Sequence, residues 1–311
     1  MLSQNFINSS CNNVFVMTSG LRYQGPIYRP PSEANSLLVQ ATIGCPWNKC
    51  TFCMVYKKGP KFKIRSVEEI KEDLLWAKNN YPYPINTVFF PSGNTIIMKT
   101  EDFVEILKYT KKLFPDIQRI TIYGSAQYIA NKGLEDLKKI AEAGLSRIHV
   151  GLESGDDVIL KHIKKGSTKE IQIKAGVLVK KAGIQLSEYV MLGSGGKKRT
   201  KKHIDETVDV LNKIDPDFIR IRTFLPKINT PILEEIKSGS FEILSPHEVL
   251  DETYRLIEGL DVTSQVYSDH YTNYISVNGK LPEDKEFMLQ TVKKALKKDE
   301  NSFRKNYIGT E

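Results

Sequence analysis

Three cysteines stand close together in the chain, in the segment GCPWNKCTFC at 44–53. Their C-x4-C-x2-C spacing places Cys45, Cys50 and Cys53 in one loop, and thiolates are preferred ligands of zinc and of iron–sulfur clusters. Structural zinc and electron-transfer clusters usually take four protein ligands, so three cysteines leave one metal position open. An open iron can bind a substrate or a cofactor. The alternative is a zinc site that a distant histidine or Cys11 completes.

The composition is that of an ordinary globular protein. The chain has 311 residues, of which 40% are hydrophobic and 26% are charged. Its start lacks the basic residues and apolar run of a secretory signal, and no stretch is apolar for long enough to span a membrane. We therefore expect a cytoplasmic protein without a membrane contact. In a reducing compartment crowded cysteines indicate metal or redox chemistry, and Cys11 is interpreted as a spare thiol.

The charge of the chain bears on its partners. The formal net charge is +8, and the lysines are spread over most of the predicted helices rather than gathered in one arm. This distribution favours a solvated, lysine-rich surface. RNA and a small molecule both stay open as the substrate.

Short apolar runs predict the strands that position the cysteine loop. Six such runs are present, at 37–44, 87–91, 119–125, 147–152, 185–192 and 218–223. Amphipathic stretches follow the first five runs, at 66–79, 100–113, 133–143, 168–182 and 201–214. Ser66 and Glu69 have the spacing of a capping box, and Gly144 and Gly183 fit left-handed helix ends. The alternation of strands and helices is typical of a parallel sheet.

The pattern divides the chain into an amino-terminal segment at 1–36, a core at 37–231 and a carboxy-terminal extension at 232–311 that packs on the core. Periodicity alone leaves a full barrel, a partial barrel and an open doubly wound sheet as alternatives for the core. All three put ligand-binding groups at the carboxyl ends of their strands. In the extension we expect three helices, the second with a capping box at Ser245 and Glu248, and an irregular segment at 261–282.

The cysteine loop resembles that of the radical S-adenosylmethionine superfamily. In that superfamily an aromatic residue directly precedes the last cysteine, and Phe52 fills this position. The usual loop is C-x3-C-x2-C, and the extra residue found here is known from fewer members. The superfamily also has a glycine-rich stretch after its second strand, which Ser92, Gly93 and Asn94 match. Asn94 replaces the usual acidic residue of that stretch.

Two later segments extend the resemblance, which covers 37–231. The segment GLESG at 151–155, followed by DDVILKHIKKG at 156–166, is similar to one shared by the methylthiotransferase, elongator and coproporphyrinogen-dehydrogenase branches. In those relatives the glutamate, here Glu153, lies near the ribose of the cofactor. The fifth strand ends in MLGSGG at 191–196, which is similar to the family's glycine turn beside the adenine.

The resemblance implies a fold and a reaction. The fold is α/β, a partial (β/α)6 TIM-like barrel of parallel strands with a helical carboxy-terminal extension. Cys45, Cys50 and Cys53 would bind a [4Fe–4S] cluster whose fourth iron holds S-adenosylmethionine. An electron from a donor such as flavodoxin or ferredoxin would cleave this cofactor to methionine and a 5′-deoxyadenosyl radical, which abstracts hydrogen from a substrate that the sequence does not name. The predicted cofactor-binding residues are Phe52, Ser92, Gly93, Asn94, Ser125, Glu153, Ser154, Gly193 and Arg222.

Candidates for a catalytic role are Arg222 and His270. Arg220 and Arg222 alternate with isoleucines on the sixth strand, so both face one side, which in a barrel would be the interior. There Arg222 would bind a carboxylate of the cofactor or the substrate, and the alternative is ion pairing near helix ends. His270 lies in a polar, aromatic segment that would cap the cavity. His149 is interpreted as a core histidine.

A different class of function competes with this one. The chain would then be a non-catalytic nucleic-acid-binding protein that holds zinc or a cluster, and its cysteines would have a structural role. Equimolar zinc without iron or sulfide after anaerobic purification would favour that hypothesis.

Replacing one loop cysteine tests the ligand assignment. We expect Cys50→Ala to lose most of its iron and sulfide after anaerobic reconstitution and to stay folded, because the loop lies outside the predicted core. Cys11→Ala is the matched control and should keep the wild-type metal content. Wild-type iron and sulfide in Cys50→Ala would contradict the assignment.

Overall fold

The computed structural model describes residues 20–309, so Cys11 lies outside the described residues. The strands in chain order are β1 (Leu37–Leu38), β2 (Thr42–Ile43), β3 (Lys63–Ile64), β4 (Thr87–Phe90), β5 (Arg119–Gly124), β6 (Arg147–Glu153), β7 (Gln185–Leu192), β8 (Phe218–Thr223), β9 (Gln265–Tyr267) and β10 (Gly279–Lys280). Eight of them form one sheet in the order β1-β4-β5-β6-β7-β8-β9-β10, and β2 pairs with β3 in a second, two-stranded sheet.

Helices alternate with the strands of the large sheet. The helices of the described part are α1 (Val67–Asn80), α2 (Thr100–Leu113), α3 (Ala126–Ala143), α4 (Asp157–His162), α5 (Lys169–Lys181), α6 (Gly196–Ile214), α7 (Ile232–Lys237), α8 (Pro246–Gly259) and α9 (Lys285–Leu296). None of the helices within residues 20–309 combines the length and the apolar character that crossing a membrane requires.

The large sheet is a partial barrel. Its neighbouring strands run parallel from β1 through β9, and β10 is added antiparallel to β9. Within residues 20–309, β10 and β1 do not pair, so the barrel stays open along one side. The predicted partial barrel of parallel strands is therefore confirmed, with β9 as a seventh parallel strand beyond the six that were predicted.

Alternation along the strands separates the core from the barrel interior. One face of each strand carries aliphatic side chains that pack against the helices and are almost fully buried, among them Val88, Ile122, Val150, Val190 and Ile221. Burial of this apolar layer is the main favourable contribution to folding. The opposite face carries aromatic and polar residues, namely Phe89, Tyr123, His149, Tyr189 and Arg222, which meet in the interior. The interior is thus available for binding.

Capping residues set several helix ends as predicted. Ser66 and Glu69 form a complete capping box at the start of α1, and Ser245 and Glu248 form another at the start of α8. Gly144 ends α3 with a φ of 126°, a backbone region that favours glycine. Each cap satisfies backbone groups that would otherwise be unpaired, which fixes where the chain turns back toward the sheet.

The first predicted strand is in fact two strands. Leu37–Leu38 pairs with β4 in the barrel, whereas Thr42–Ile43 leaves the barrel and pairs antiparallel with β3. The break falls at Gln40, whose buried side chain accepts a hydrogen bond from the backbone amide of Gln24 and donates one to Ser92 Oγ. A buried amide needs such partners, and they divert the chain toward the cysteine loop.

Other elements also differ from the prediction, and the segment at 261–282, expected to be irregular, contains β9 and β10. The span Ala126–Ala143 consists of two helical pieces separated by Gly133, whose backbone is not helical (φ 75°, ψ 171°); the predicted helix at 133–143 matches the second piece, and the first was not predicted. Helix α4 has six residues and β9 has three, which is too short for a periodic signal. Since β9 and β10 come from the extension, residues on both sides of 231 build the same sheet. The division of the chain at that point stays a prediction.

Candidate active site

A cavity of about 720 Å³ lies at the carboxyl ends of the barrel strands. Ser125, Glu153 and Thr223 line it, and they stand at the ends of β5, β6 and β8. The volume is within the range that small-molecule and cofactor sites occupy. Most of the predicted site residues line this cavity, namely Cys45, Cys50, Phe52, Cys53, Ser92, Gly93, Asn94, Ser125, Glu153, Arg222 and His270.

The cysteine loop is one wall of the cavity, and hydrogen bonds attach it to the turn that follows α4. The indole nitrogen of Trp47 donates to the carbonyl of Lys164 (2.7 Å), and the amide of Thr51 donates to the carbonyl of Ile163 (3.0 Å). Within the loop, Asn48 Nδ2 donates to the carbonyl of Tyr56 (2.9 Å). The first two of these hydrogen bonds, both between protein groups, hold the loop against that turn.

All three thiols of the loop are free. Burial raises the pKa of Cys50 and raises that of Cys53 to about 11, so metal binding must displace protons there. Within residues 20–309 no three histidine, cysteine or acidic side chains converge on a single-ion site. Thiolates that bind three separate irons of a cluster do not have to meet at one point.

The stretch after β4 lies directly against the cysteine loop. The amide of Gly93 donates to the carbonyl of Gly44 (3.0 Å), and a Cβ on Gly93 would lie 2.8 Å from the Cα of Cys45. Next to this contact, Asn94 is 1% exposed, and its Oδ1 has no hydrogen-bond partner among the described residues. A buried acceptor without a partner marks a place where a ligand can donate a hydrogen bond.

Strained backbone conformations also lie at the cavity. Asn48, Ser92 and Glu153 have φ values of 45°, 87° and 62°, and all three line the cavity. Such conformations cost about 1–3 kcal/mol each in non-glycine residues and are concentrated at functional sites. At Glu153 the strain accompanies an irregularity in the pairing of β6 with β7 between Gly151 and Glu153. Glu153, whose backbone is strained, is therefore the residue at which β6 ends, and its carboxylate lies at the cavity.

Lys165 is a site residue that the sequence reasoning missed. Its Nζ donates to Glu153 Oε1 (2.9 Å), and both side chains are largely buried at the cavity wall. Burial acts to lower the pKa of Lys165, but the carboxylate of Glu153, which accepts its hydrogen bond, opposes this effect of burial, and that pKa lies above its ordinary value. Lys165 lies within the segment at 156–166 that resembles the family, but it does not stand at the end of a strand, where ligand-binding groups were expected. The turn after α4 brings it to the site.

Arg222 lies on another part of the cavity wall. Its guanidinium carbon is 4.6 Å from the centre of the Tyr189 ring, and its Nε has no hydrogen-bond partner among the described residues. His270 is near, with its Nδ1 2.8 Å from the hydroxyl of Thr272. Burial lowers the pKa of His270 to about 3, with help from the positive charges of Arg222 and Lys227. His270 is therefore neutral at physiological pH and cannot serve there as a proton-donating imidazolium.

His149 is fully buried, as its interpretation as a core histidine predicts, but it also lines the cavity. Its Nε2 lies 3.4 Å from Glu33 Oε1, and its ring lies among those of Phe89, Tyr123 and Tyr189. Burial lowers the pKa of His149 to about 4 despite the carboxylate of Glu33. The floor of the cavity is thus built from neutral, mostly aromatic groups.

Two predicted site residues do not line the cavity. Ser154 is buried, and its Oγ lies 2.9 Å from Nδ1 of His203 on α6. The amide of Gly193 donates to Oε2 of the buried Glu252 on α8 (2.7 Å). Both residues therefore connect the sheet to the helix layer.

A cavity with three free thiols at the carboxyl end of a parallel barrel is the arrangement of a metal-dependent barrel enzyme. The family profile of the radical SAM superfamily matches residues 39–211, and the chain belongs to this superfamily. Its members are enzymes that use a [4Fe–4S] cluster and S-adenosylmethionine, which are therefore the cofactors of this chain. The non-catalytic zinc or nucleic-acid-binding alternative is not favoured.

Individual relatives match at low identity. An uncharacterized methyltransferase of Pyrococcus horikoshii is 25% identical over 199 residues, which cover 63% of this chain and 41% of the relative. The tRNA-2-methylthio-N(6)-dimethylallyladenosine synthase of Thermodesulfovibrio yellowstonii is 26% identical over 238 residues, which cover 71% of this chain and 53% of that protein. The chain thus spans about half of these relatives or less. The structure of a methylornithine synthase shares the fold, with a TM-score of 0.50, 17% identity and coverage of 84% of this chain and 81% of that one.

The placement of Ser154 can be tested directly. We expect Ser154→Ala to keep the affinity for S-adenosylmethionine within about twofold and to lose about 1 kcal/mol of stability, because its hydroxyl bonds to His203 and not to a ligand. Equilibrium dialysis and thermal unfolding measure the two effects. Ser240→Ala, at an exposed serine, is the control for stability. A large loss of cofactor affinity in Ser154→Ala would place its hydroxyl at the cofactor after all.

Proposed function

We propose that the chain, with residues 37–231 as its core, generates a 5′-deoxyadenosyl radical and uses it to abstract hydrogen from a substrate in the cavity. The observation that carries this proposal is that the three thiols of the cysteine loop share one cavity with Asn94, Glu153 and Arg222. When bound, the cluster supplies the electron that cleaves S-adenosylmethionine. The protein binds and orients both molecules and keeps water away from the radical.

The residues near the loop fit the polar groups of the cofactor. Oδ1 of Asn94 is a buried acceptor without a described partner, suited to the amino group of the methionine moiety. Lys165, which is near enough to Cys50 to affect its pKa, is suited to the carboxylate. Glu153 can accept hydrogen bonds from ribose hydroxyls. Gly93 gives room for a close backbone approach, as its contact with Cys45 indicates.

The residues around Arg222 fit the substrate. Arg222 lies over the ring of Tyr189 and Lys227 donates to the hydroxyl of Tyr271, whereas Lys165 donates to Glu153. The two groups of cations therefore belong to different parts of the cavity. Arg222 forms no ion pair with a carboxylate within residues 20–309, and its guanidinium has donors for a carboxylate or a phosphate. This arrangement favours an anionic substrate that binds to Arg222 near the ring of Tyr189.

RNA is the second candidate substrate. Two observations favour RNA. One relative is a tRNA-2-methylthio-N(6)-dimethylallyladenosine synthase, and this chain has a net charge of +8. Binding of tRNA that weakens steeply with salt would support it, because a protein that neutralises several phosphates releases their counterions. Salt-insensitive or absent binding would leave the small anionic molecule.

Anaerobic reconstitution tests the proposed function. We expect about four irons and four sulfides per chain, and release of 5′-deoxyadenosine after addition of S-adenosylmethionine and dithionite. High-performance liquid chromatography measures the product, and omission of dithionite is the control. Zinc in place of iron, without cleavage of the cofactor, would contradict the proposal.

The separate positions of Lys165 and Arg222 in the cavity give another prediction. We expect Lys165→Met to lose at least about tenfold in affinity for S-adenosylmethionine because it removes a charge-assisted bond, and Lys165→Arg to regain part of it. Arg222→Gln should keep the cofactor affinity and the dithionite-driven release of 5′-deoxyadenosine. Equilibrium dialysis on the reconstituted variants measures the affinity. Equal losses in Lys165→Met and Arg222→Gln would assign Arg222 to the cofactor instead.

A further inference from the structure

A basic surface lies beside the cysteine loop. From Cys45 to Arg65 the chain has five lysines and no aspartate or glutamate. Four of these lysines are exposed and form no ion pair with any carboxylate in residues 20–309; we call them the loop lysines, namely Lys49, Lys58, Lys61 and Lys63. Elsewhere exposed lysines often pair with carboxylates, as Lys213 does with Asp209 (2.7 Å). The loop lysines therefore present positive charge that no carboxylate of residues 20–309 neutralises by a direct ion pair.

The fold holds this charge against the cluster-binding loop. Strand β3 pairs with β2 so that Lys63 lies opposite Ile43, two residues before Cys45. The segment at 60–62 packs on the backbone of Gly44, where an added Cβ would lie 2.7 Å from the carbonyl oxygen of Pro60. Lys49 directly precedes Cys50, and its Nζ is 4.7 Å from the centre of the Trp47 ring. Lys49 and the segment that carries Lys61 and Lys63 thus adjoin the cysteine loop.

The loop has two sides. Residues 45, 47, 48, 50 and 52–56 line the cavity, whereas none of the loop lysines does. A molecule that binds the loop lysines can therefore approach the cluster without entering the cavity. An RNA substrate, in contrast, has to place a nucleotide inside the cavity to meet the radical. This sidedness favours a partner that exchanges electrons over one that is modified.

Apolar groups lie among the loop lysines. Ile64 is 39% exposed, and Phe62 is partly exposed between Lys61 and Lys63. An apolar centre inside a charged rim is the usual composition of a protein–protein interface. The complementary surface on a partner would carry carboxylates around an apolar patch.

We propose that the loop lysines dock an acidic one-electron carrier protein of the flavodoxin or ferredoxin class, which reduces the cluster through the loop. This inference rests on the proposed function. In the transfer the carrier is oxidised by one electron and the cluster is reduced by one, and no covalent bond is made or broken. Opposite charges guide the two proteins together and orient the carrier toward the cysteines.

Charge reversal tests the docking surface. The test variant is Lys58→Glu with Lys61→Glu, and the matched control is Lys294→Glu with Lys297→Glu, which changes the charge equally at exposed lysines of the carboxy-terminal part. The probe is a bacterial flavodoxin, whose binding to the reconstituted chain is measured by calorimetry at low and at high salt. We expect the affinity to fall at least about tenfold in the test variant and to stay unchanged in the control.

Activity with two reductants separates docking from chemistry. With reduced flavodoxin, release of 5′-deoxyadenosine should fall in the test variant by a factor similar to that of the affinity. With dithionite, which needs no docking surface, both variants should match the wild type. If dithionite drives no cleavage even in the wild type, the proposed function fails, whatever the binding result.

Other outcomes overturn the docking proposal. The proposal fails if the test variant binds flavodoxin with wild-type affinity, or if the control variant loses as much affinity as the test variant. It also fails if neither flavodoxin nor a ferredoxin used in its place binds the wild-type chain. If the test variant loses tRNA binding while flavodoxin-driven release of 5′-deoxyadenosine is unchanged, the loop lysines belong to a nucleic-acid surface instead.

Discussion

The contact between Gly93 and the cysteine loop is the constraint on which the site depends. The loop leaves the barrel after β1, and the hydrogen bond from the Gly93 amide to the Gly44 carbonyl brings it back onto the end of β4. A Cβ at Gly93 would lie within 3 Å of Gly44 and Cys45, so only glycine permits this approach. Because Asn94 follows directly, the same contact places a buried acceptor beside the thiols. One backbone junction thus fixes the position of the thiols relative to Asn94.

Burial decides which groups of the cavity carry charge. His149 and His270 have pKa values lowered to about 4 and about 3 by burial, so neither is charged at neutral pH. Lys165, in contrast, keeps its charge because Glu153 lies 2.9 Å away. Apart from Arg222, which lies over a tyrosine ring without a carboxylate partner among the described residues, charge is retained where a partner compensates for desolvation, in agreement with the general cost of burying ions. A mostly neutral interior suits a reaction that must exclude water.

The sequence was sufficient for the parts that depend on local pattern. The cysteines, the parallel strands and the capping boxes at Ser66 and Ser245 all have signals within a few residues of themselves. Ser154 lies next to Glu153, yet it follows the strained residue at which β6 ends, and its hydroxyl bonds to His203 in the helix layer while Glu153 lines the cavity. Lys165 enters the site through the turn after α4, and β9 joins the sheet through tertiary pairing alone. Neither placement has a periodic signature.

In the proposed docking mode, the loop combines two functions that would conflict on one side. Its thiols need low solvent access, and burial indeed raises the pKa of Cys53 to about 11. An electron donor needs an accessible, charged surface at short distance. A loop with thiols that line the cavity and lysines that are exposed to solvent meets both requirements. Acidic residues between Cys45 and Arg65 would neutralise the lysines and weaken that outer surface, and their absence from this segment is what the arrangement requires.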